Sequence, residues 1–192
     1  ASTGVIGEEF PVEKIRERLP DLVDRLRTEH NKMYWIKMAS AIMTTDTKPK
    51  LAYEEIIIGD ELIKISGIAK GSGMIRPDMA TMLSYVCTDV EADASTLKAL
   101  LTDAVDVSFN RITIDGDTST NDMVLVMANG TAGNTIIDGN SKESVDDFQQ
   151  ALDHVLKDLA IQIVNDGEGA TKTITIRVRG ADVDEDAEKI AR

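Results

Sequence analysis

The sequence predicts a layered fold of the α/β or α+β class, in which helices pack against a sheet. Apolar residues recur at intervals of three and four in several segments, and alternate or run together in others. The helical and strand-like segments are interspersed along the 192 residues. Apolar residues make up 42% of the chain, which is close to the globular norm and sufficient for a core.

The first quarter of the chain is predicted to be helical. Residues 11–27 carry one apolar face, and Pro11 suits a first helical turn, whereas Pro20 is expected to kink or split the helix. Residues 31–42 form a second predicted helix. The threonines and the aspartate of residues 44–50 favour a turn, so the helical region is expected to end there.

The middle of the chain predicts strands. Residues 53–58 and 61–68 flank a Gly-Asp pair, which is typical of a β-hairpin. A glycine-rich loop follows at residues 70–80, and residues 81–88 predict a third strand. Ser95 is a candidate cap for a helix that extends to about residue 109.

The second half continues the alternation of elements. A polar turn at residues 112–121 precedes an apolar strand at residues 123–128, which is predicted to be buried on both faces. Ser144 is expected to begin a long amphipathic helix that ends at the glycines of residues 166–169. Residues 171–179 alternate between apolar and polar side chains and predict a half-exposed strand.

Both ends of the chain are expected to be cut from a longer protein. Residues 1–7 have neither an initiator methionine nor the composition of a tail. Residues 182–192 place acids early and bases late, as at the start of a helix. The alternative interpretation of these last residues is a flexible acidic terminus.

Charge and composition exclude several function classes. With 34 acidic and 21 basic residues, the net charge of −13 argues against binding to nucleic acid or to an anionic membrane. No apolar run suits a bilayer span, and we expect no signal peptide. The single cysteine, Cys87, allows no internal disulfide and favours a reducing cytoplasm. Two histidines, His30 and His154, leave little for a His-rich metal site or a Ser-His-Asp triad.

Two familiar loop patterns fail on their spacing. Residues 70–73 lack the order of a P-loop, and a dinucleotide motif would need glycine where Arg76 stands. The segment starting at Asp115 resembles a calcium loop, but Thr120 and Val126 occupy the positions of the required glycine and glutamate. A structural network of Asx turns is therefore the preferred interpretation of that segment.

Threonine chemistry fits a chain with so few histidines. A threonine at a chain terminus can use its own α-amino group as the base, and the unperturbed pKa of that amine is about 7.7–8.0. Such a threonine must be released by cleavage after a small residue. The bonds Ala80-Thr81 and Ala170-Thr171 both have this form, so spacing alone does not choose between them.

Five segments, found in order along nearly the whole chain, resemble the ornithine acetyltransferase family, the glutamate N-acetyltransferases of arginine biosynthesis. They are residues 2–7 (STGVIG), 41–50 (AIMTTDTKPK), 70–83 (KGSGMIRPDMATML), 109–130 (FNRITIDGDTSTNDMVLVMANG) and 166–172 (DGEGATK). The third and fourth segments are long and highly specific.

The resemblance implies a layered α/β/β/α sandwich, a fold shared with the self-cleaving aminopeptidases. Residues 1–170 would form part of a catalytic sandwich domain, and residues 171–192 would begin a C-terminal domain. Members of the family extend beyond both ends of this sequence, which agrees with the expectation of a chain truncated at both ends.

The family cleaves itself before the threonine of its Ala-Thr-Met-Leu motif. This implies cleavage between Ala80 and Thr81, with Thr81 as nucleophile and new N-terminus, and an oxyanion hole formed by Thr3 and Gly4. The positions that bind substrate in the family correspond to Thr44, Lys70, Thr81 and Glu168. From the residues alone, Lys70 would be interpreted as a surface cation and Glu168 as an acid at a helix end.

The implied reaction is a ping-pong transfer of acetyl from N-acetylornithine to glutamate through an acetyl-Thr81 ester. The resemblance implies no metal and no organic cofactor. Acetyl-CoA is also a donor in part of the family, and no residue here decides between the two versions. Two chains from one precursor would assemble as a heterotetramer of two α and two β chains.

Two alternatives remain beside acetyl transfer. One is a self-cleaving aminopeptidase or amidase of related fold, which uses the same threonine chemistry. The other is an inactive fragment of the acetyltransferase that serves only in interaction or folding.

Overall fold

A computed structural model describes residues 7–26, 31–75, 82–117, 119 and 121–191. Within these ranges the chain alternates between helices and strands, with a short 3-10 helix at Phe109–Arg111. In chain order the other elements are α1 (Val12–Arg16), α2 (Leu19–Asp24), α3 (Lys32–Ala41), β1 (Lys50–Ile58), β2 (Glu61–Lys70), β3 (Leu83–Thr88), α4 (Ala94–Asp106), β4 (Met123–Ala128), α5 (Lys142–Asn165) and α6 (Asp184–Ala191). Among the described helices, none has both the length and the apolar character needed to cross a membrane.

The four strands form one sheet in the order β1-β2-β3-β4. Strands β1 and β2 make the predicted hairpin, which turns through Gly59 at a φ of +64°, a conformation that favours glycine. Strand β3 pairs antiparallel with β2 and parallel with β4, so that Leu83 lies opposite Met123. The mixed α/β class is therefore confirmed.

Helix α5 covers one face of the sheet and supplies much of the core. Its apolar stripe is buried, as its amphipathic sequence predicts, and comprises Phe148, Ala151, Leu152, Val155, Leu156, Leu159, Ala160 and Ile163. The helix lies close to β2 at Gly67, where an added Cβ atom would lie 2.9 Å from Leu159 Cδ1 and 3.0 Å from Val155 Cγ1. Glycine at this position lets the helix layer pack directly on the sheet.

The helix boundaries follow their capping residues. Pro20 lies in the first turn of α2, so the predicted split of the first helical region is confirmed. The side chain of Asn31 accepts a hydrogen bond from Met33 N at the start of α3. The expectation that Ser95 caps α4 is wrong, because Asp93 Oδ2 accepts the hydrogen bond from Thr96 N at 2.9 Å.

Two strand predictions need correction. Strand β4 is not buried on both faces, since Leu125 is 39% exposed and no described helix covers that side chain fully. Residues 171–179 form no strand in the described chain, and Ile174 and Ile176 are 81% and 63% exposed. Alternation alone does not make a strand, because the ladder needs a partner for its hydrogen bonds. The predicted start of a helix near the last residues is confirmed by α6.

A buried lysine ties the beginning of the sheet to the end of α5. Lys50 is 1% exposed, and its Nζ donates hydrogen bonds to Asp46 Oδ1 at 2.6 Å and to Asp166 Oδ2 at 2.7 Å. We call these three residues the Lys50 clasp. Asp166 also accepts hydrogen bonds from the backbone and the hydroxyl of Thr47. The clasp therefore joins the loop before β1 to the residue that follows α5.

Both carboxylates of the clasp are held in their charged form. Burial by itself would raise the pKa of Asp166, but the hydrogen bonds from Lys50 and Thr47 outweigh it and lower the pKa to about 2. Burial opposes the ionisation of Asp46 as well, yet hydrogen bonds from the Gly71 amide and Lys50 keep its pKa below the ordinary value. Both acids of the clasp are thus carboxylates at neutral pH.

We expect Lys50→Met to lower the free energy of unfolding at pH 7 by about 3–5 kcal/mol, because it leaves two carboxylates buried without their cation. Urea unfolding measures this loss. Lys48→Met is the matched control, since that lysine is exposed and its removal should change stability by no more than about 0.5 kcal/mol. Equal losses in the two variants would contradict the account of the clasp.

Gly67→Ala should destabilise the chain by about 1–3 kcal/mol, because its methyl group would overlap Leu159 and Val155. Combining it with Leu159→Val removes the atom that lies closest, so the two effects should be non-additive in a double-mutant cycle. Strict additivity of the two free-energy changes would show that α5 does not pack on Gly67 as described.

Candidate functional site

The predicted site residues divide into two groups. Thr3, Gly4, Ala80 and Thr81 lie outside the described residues, whereas Thr44, Lys70 and Glu168 lie within them. The chain is described again from Met82, which is joined to Thr81 by a peptide bond. Met82 directly precedes β3, so the described chain resumes at the edge of the sheet where that strand begins.

Lys70, the last residue of β2, is a buried cation. It is 2% exposed, so its interpretation as a surface cation is wrong. Burial lowers the pKa of its ammonium, and the attraction of the Asp46 and Asp122 carboxylates offsets this only in part. Lys70 forms no salt bridge within the described ranges, although Nζ lies 3.5 Å from Thr44 Oγ1. Among the described residues, the Lys70 ammonium therefore contacts a hydroxyl and not a carboxylate.

Asp46 explains why Thr44 and Lys70 lie side by side. One carboxylate oxygen accepts a hydrogen bond from Thr44 N at 3.2 Å, and the other accepts one from Gly71 N at 2.7 Å. The same carboxylate thus fixes the loop that carries Thr44 and the residue that follows Lys70. A hydrogen bond of 2.6 Å between the hydroxyls of Thr45 and Ser72 joins the same two segments again.

Glu168 lies against the glycine-rich loop. Its backbone N donates to Ser72 O at 2.7 Å, and its Oε2 would lie 2.7 Å from a Cβ atom added to Gly73. A side chain at position 73 would therefore displace the carboxylate. Because Glu168 follows Asp166 by two residues, the Lys50 clasp also fixes where this acid meets the loop.

The polar turn that follows the 3-10 helix supports the other end of the glycine-rich loop. Asp115 accepts hydrogen bonds from the backbone N atoms of Met74 and Ile75, and Asp117 N donates to the same carboxylate at 3.2 Å. This is the Asx-turn network preferred over a calcium loop. In the described part of the chain, no three His, Cys, Asp or Glu side chains are grouped as a metal centre requires.

Asp122 is a site residue that the sequence interpretation missed. It stands just before β4 as Met82 stands just before β3, and the parallel pairing of these strands sets the two residues next to each other. Asp122 Oδ1 accepts a hydrogen bond from Met82 N at 2.8 Å. Burial raises the pKa of Asp122 to about 6, against the opposing effects of that hydrogen bond and of Lys70. Its only sequence signal was an acid directly before an apolar strand.

A cavity of about 310 Å³ opens beside Asp122, between the sheet and α4. Its walls are mostly apolar and include Met82, Val105 and Phe109.

His154 and Cys87 do not line this cavity. His154 Nδ1 is 2.7 Å from Glu54 Oε2 on an exposed part of α5, and Cys87 is a thiol of β3 whose pKa is raised by burial. His30 lies outside the described residues.

Known proteins resemble this chain along its full length. A protein of Desulfotalea psychrophila named "Arginine biosynthesis bifunctional protein ArgJ" is 53% identical over 192 residues, which cover all of this chain and 48% of that protein. The protein of the same name from Geobacillus stearothermophilus is 49% identical, again over the whole chain and 46% of its own length. The chain therefore spans about half the length of the curated relatives it matches.

A solved structure gives a third comparison. The crystal structure of arginine biosynthesis bifunctional protein argJ from Bacillus halodurans is 48% identical, with a TM-score of 0.41 over 44% of this chain and 39% of that one. The profile described as the ArgJ family matches residues 1–192, which is every residue of the sequence. On this match and on the identity to its relatives, the chain belongs to the ArgJ family.

Proposed function

We propose that this chain forms part of an enzyme of arginine biosynthesis that transfers acetyl from N-acetylornithine to glutamate through an ester on Thr81. The observation that carries the proposal is the convergence of Thr44, Lys70 and Glu168 on one glycine-rich loop. Lys70 is a buried cation that forms no salt bridge with any described residue. The names of its relatives support the pathway, since they place those proteins in arginine biosynthesis.

The first step is self-cleavage. Thr81 Oγ attacks the carbonyl carbon of Ala80, the C–N bond breaks, and the threonine nitrogen leaves as a free amine. Water then hydrolyses the Ala80 ester, which releases the carboxylate of Ala80 and restores the Thr81 hydroxyl. The hydroxyl of Thr3 and the N–H of Gly4 are the proposed donors to the tetrahedral oxyanion, and one such donor contributes about 3 kcal/mol.

Acetyl transfer uses the same hydroxyl. The Thr81 amine takes the proton of Oγ, which attacks the acetyl carbonyl of N-acetylornithine, and the ornithine amine leaves with that proton. The amine of glutamate then attacks the acetyl ester and restores Thr81. These steps need a hydroxyl, an amine and oxyanion donors, so no metal or organic cofactor is proposed. Acetyl-CoA as donor would follow the same course with a thiol as leaving group.

Substrate recognition rests on two charges of opposite sign. Lys70 would bind the substrate carboxylate, because a buried ammonium gains more from an anion than an exposed one does. Thr44 lies beside Lys70 and would donate or accept a further hydrogen bond. Glu168, which lies against Ser72 and Gly73 of the loop, would bind the side-chain ammonium of ornithine.

The wider organisation is proposed from the resemblance. Residues 1–170 would belong to the catalytic sandwich and residues 171–192 to the start of a C-terminal domain. The two products of cleavage would remain together as a cytoplasmic heterotetramer of two α and two β chains.

Self-cleavage predicts that denaturing mass spectrometry of the chain finds fragments 1–80 and 81–192. Thr81→Ala should abolish both fragments, because it removes the attacking hydroxyl. Thr171→Ala is the matched control, since it alters the other Ala-Thr bond and should leave both masses intact apart from the substitution. A break after residue 170, or fragments that persist in Thr81→Ala, would contradict the proposal.

Lys70→Met should raise the KM for N-acetylornithine and lower kcat/KM by roughly 10- to 100-fold in the full-length enzyme, as expected for the loss of a charged hydrogen bond of about 1.5–3 kcal/mol. Steady-state kinetics of the cleaved protein measure the effect. Lys64→Met, near the opposite end of β2, should leave KM unchanged. An unchanged KM in a cleaved Lys70→Met protein would show that Lys70 does not bind the substrate carboxylate.

A further inference from the structure

Gly73 of the glycine-rich loop lies where two carboxylates from other segments approach the loop. A Cβ atom added to Gly73 would lie 2.7 Å from Glu168 Oε2 and 3.6 Å from Asp115 Oδ2. The φ angle of Gly73 does not lie in the left-handed region, so its backbone conformation does not itself require glycine. The consequence of glycine at this position is therefore a space next to the loop, bordered by both carboxylates, that a side chain would fill.

The two carboxylates differ in how firmly they are held. Burial opposes the ionisation of Asp115, but backbone hydrogen bonds, the largest effect coming from the Met74 amide, outweigh it and lower its pKa. The Glu168 side chain is exposed, and no described side chain forms a hydrogen bond or ion pair with its carboxylate. A fixed negative charge and an accessible one thus border the same space.

We propose that Gly73 determines the preference of the site for a donor whose side chain ends in an ammonium group. Without a side chain at position 73, the Glu168 carboxylate lies against the loop, and an ammonium that it binds there is also close to the negative charge of Asp115. The inference rests on the proposed function, in which Glu168 binds the side-chain ammonium of ornithine. It adds the residue that lets this carboxylate approach the loop and a second acid that attracts the same group.

The charges of this space distinguish the two substrates of the proposed reaction. The side chains of ornithine and of its N-acetyl derivative end in an ammonium group, which both carboxylates attract. The side chain of glutamate ends in a carboxylate, which gains nothing from either acid. A change at position 73 should therefore weaken the binding of the donor and not that of the acceptor.

A methyl group at position 73 would act on the end of one flexible side chain. It would lie too close to Glu168 Oε2 for that atom to stay in place, whereas the Glu168 backbone is held by its hydrogen bond to Ser72 O at 2.7 Å. The Glu168 side chain can turn into solvent because it is exposed. Gly67 differs, since an atom added there meets packed side chains of the core. Gly73→Ala should therefore move the charge and leave the fold intact.

The test compares Gly73→Ala with the parent, both as the full-length, cleaved enzyme. We expect the KM for N-acetylornithine to rise about tenfold or more, because the strength of a charged hydrogen bond depends closely on the distance between its atoms. The KM for glutamate should not rise. A rise in both constants, or loss of folding in Gly73→Ala, would overturn the inference, because the methyl group would then disturb the loop as a whole.

Glu168→Ala is the matched control. It removes the carboxylate, so it should raise the KM for N-acetylornithine by a similar factor. Gly73→Ala should have no further effect in that background, because no carboxylate remains to be displaced. An equal rise in KM with and without Glu168 would show that the methyl group acts by another route, and the inference would be wrong.

The binding of ornithine, measured by calorimetry, separates this inference from the proposed function. The Kd for ornithine should rise about tenfold in Gly73→Ala, whether or not the parent transfers acetyl. A raised Kd in Glu168→Ala with a parental Kd in Gly73→Ala would overturn the inference and leave the role of Glu168 intact. A parental Kd in both variants would overturn the role of Glu168 and the inference with it, whereas an inactive parent that shows the expected changes in Kd would overturn only the acetyl-transfer proposal.

Discussion

The buried ammonium of Lys50 sets the geometry on which the candidate site depends. An ammonium removed from water is tolerated only where carboxylates and hydrogen bonds replace its hydration, and here Asp46 and Asp166 both do so. Each of these acids belongs to a segment that carries a predicted site residue, since Thr44 precedes Asp46 and Glu168 follows Asp166. One ion triad thus determines where two distant segments meet the glycine-rich loop.

A second constraint comes from the parallel pairing of β3 and β4. Parallel neighbours begin at the same edge of a sheet, so the residues just before them, Met82 and Asp122, are brought into contact. The backbone nitrogen of Met82 lies at this edge, where it donates to Asp122. The two constraints together gather residues from five separate stretches of the chain at one end of the sheet.

The features of the fold that depend on neighbouring residues could be predicted from the sequence. The hairpin at Gly59, the split at Pro20 and the stripe of α5 each depend on residues close in sequence, and the structure contains all three. The pairing of strands and the packing of side chains that lie far apart in sequence could not be predicted. Residues 171–179 have the alternation of a strand but no partner in the described chain, and the exposure of Leu125 likewise depends on what covers the sheet.

In the candidate site, too, the residue types could be identified from the sequence, but their burial and contacts could not. The family resemblance indicated Thr44, Lys70 and Glu168, whereas composition and spacing favoured an exposed cation for Lys70. The burial of Lys70 follows from the register of β2 with β3 and from the loop held by Asp46, neither of which a pattern of residue types contains. The sequence did not predict the roles of Asp122 and Lys50 either. An acid directly before a strand, like Asp122, and a lysine at the first position of a strand, like Lys50, are both common at exposed positions.

The most direct test of the account is to trap the acyl group. Full-length enzyme is incubated with N-acetylornithine in the absence of glutamate, digested, and examined for the peptide that begins at Thr81. Transfer through Thr81 predicts one added acetyl group on that peptide, removed by hydroxylamine as an ester is, and lost when glutamate is supplied. Acetyl transfer that proceeds with this peptide unmodified, or with an acetyl group that resists both hydroxylamine and glutamate, would contradict it.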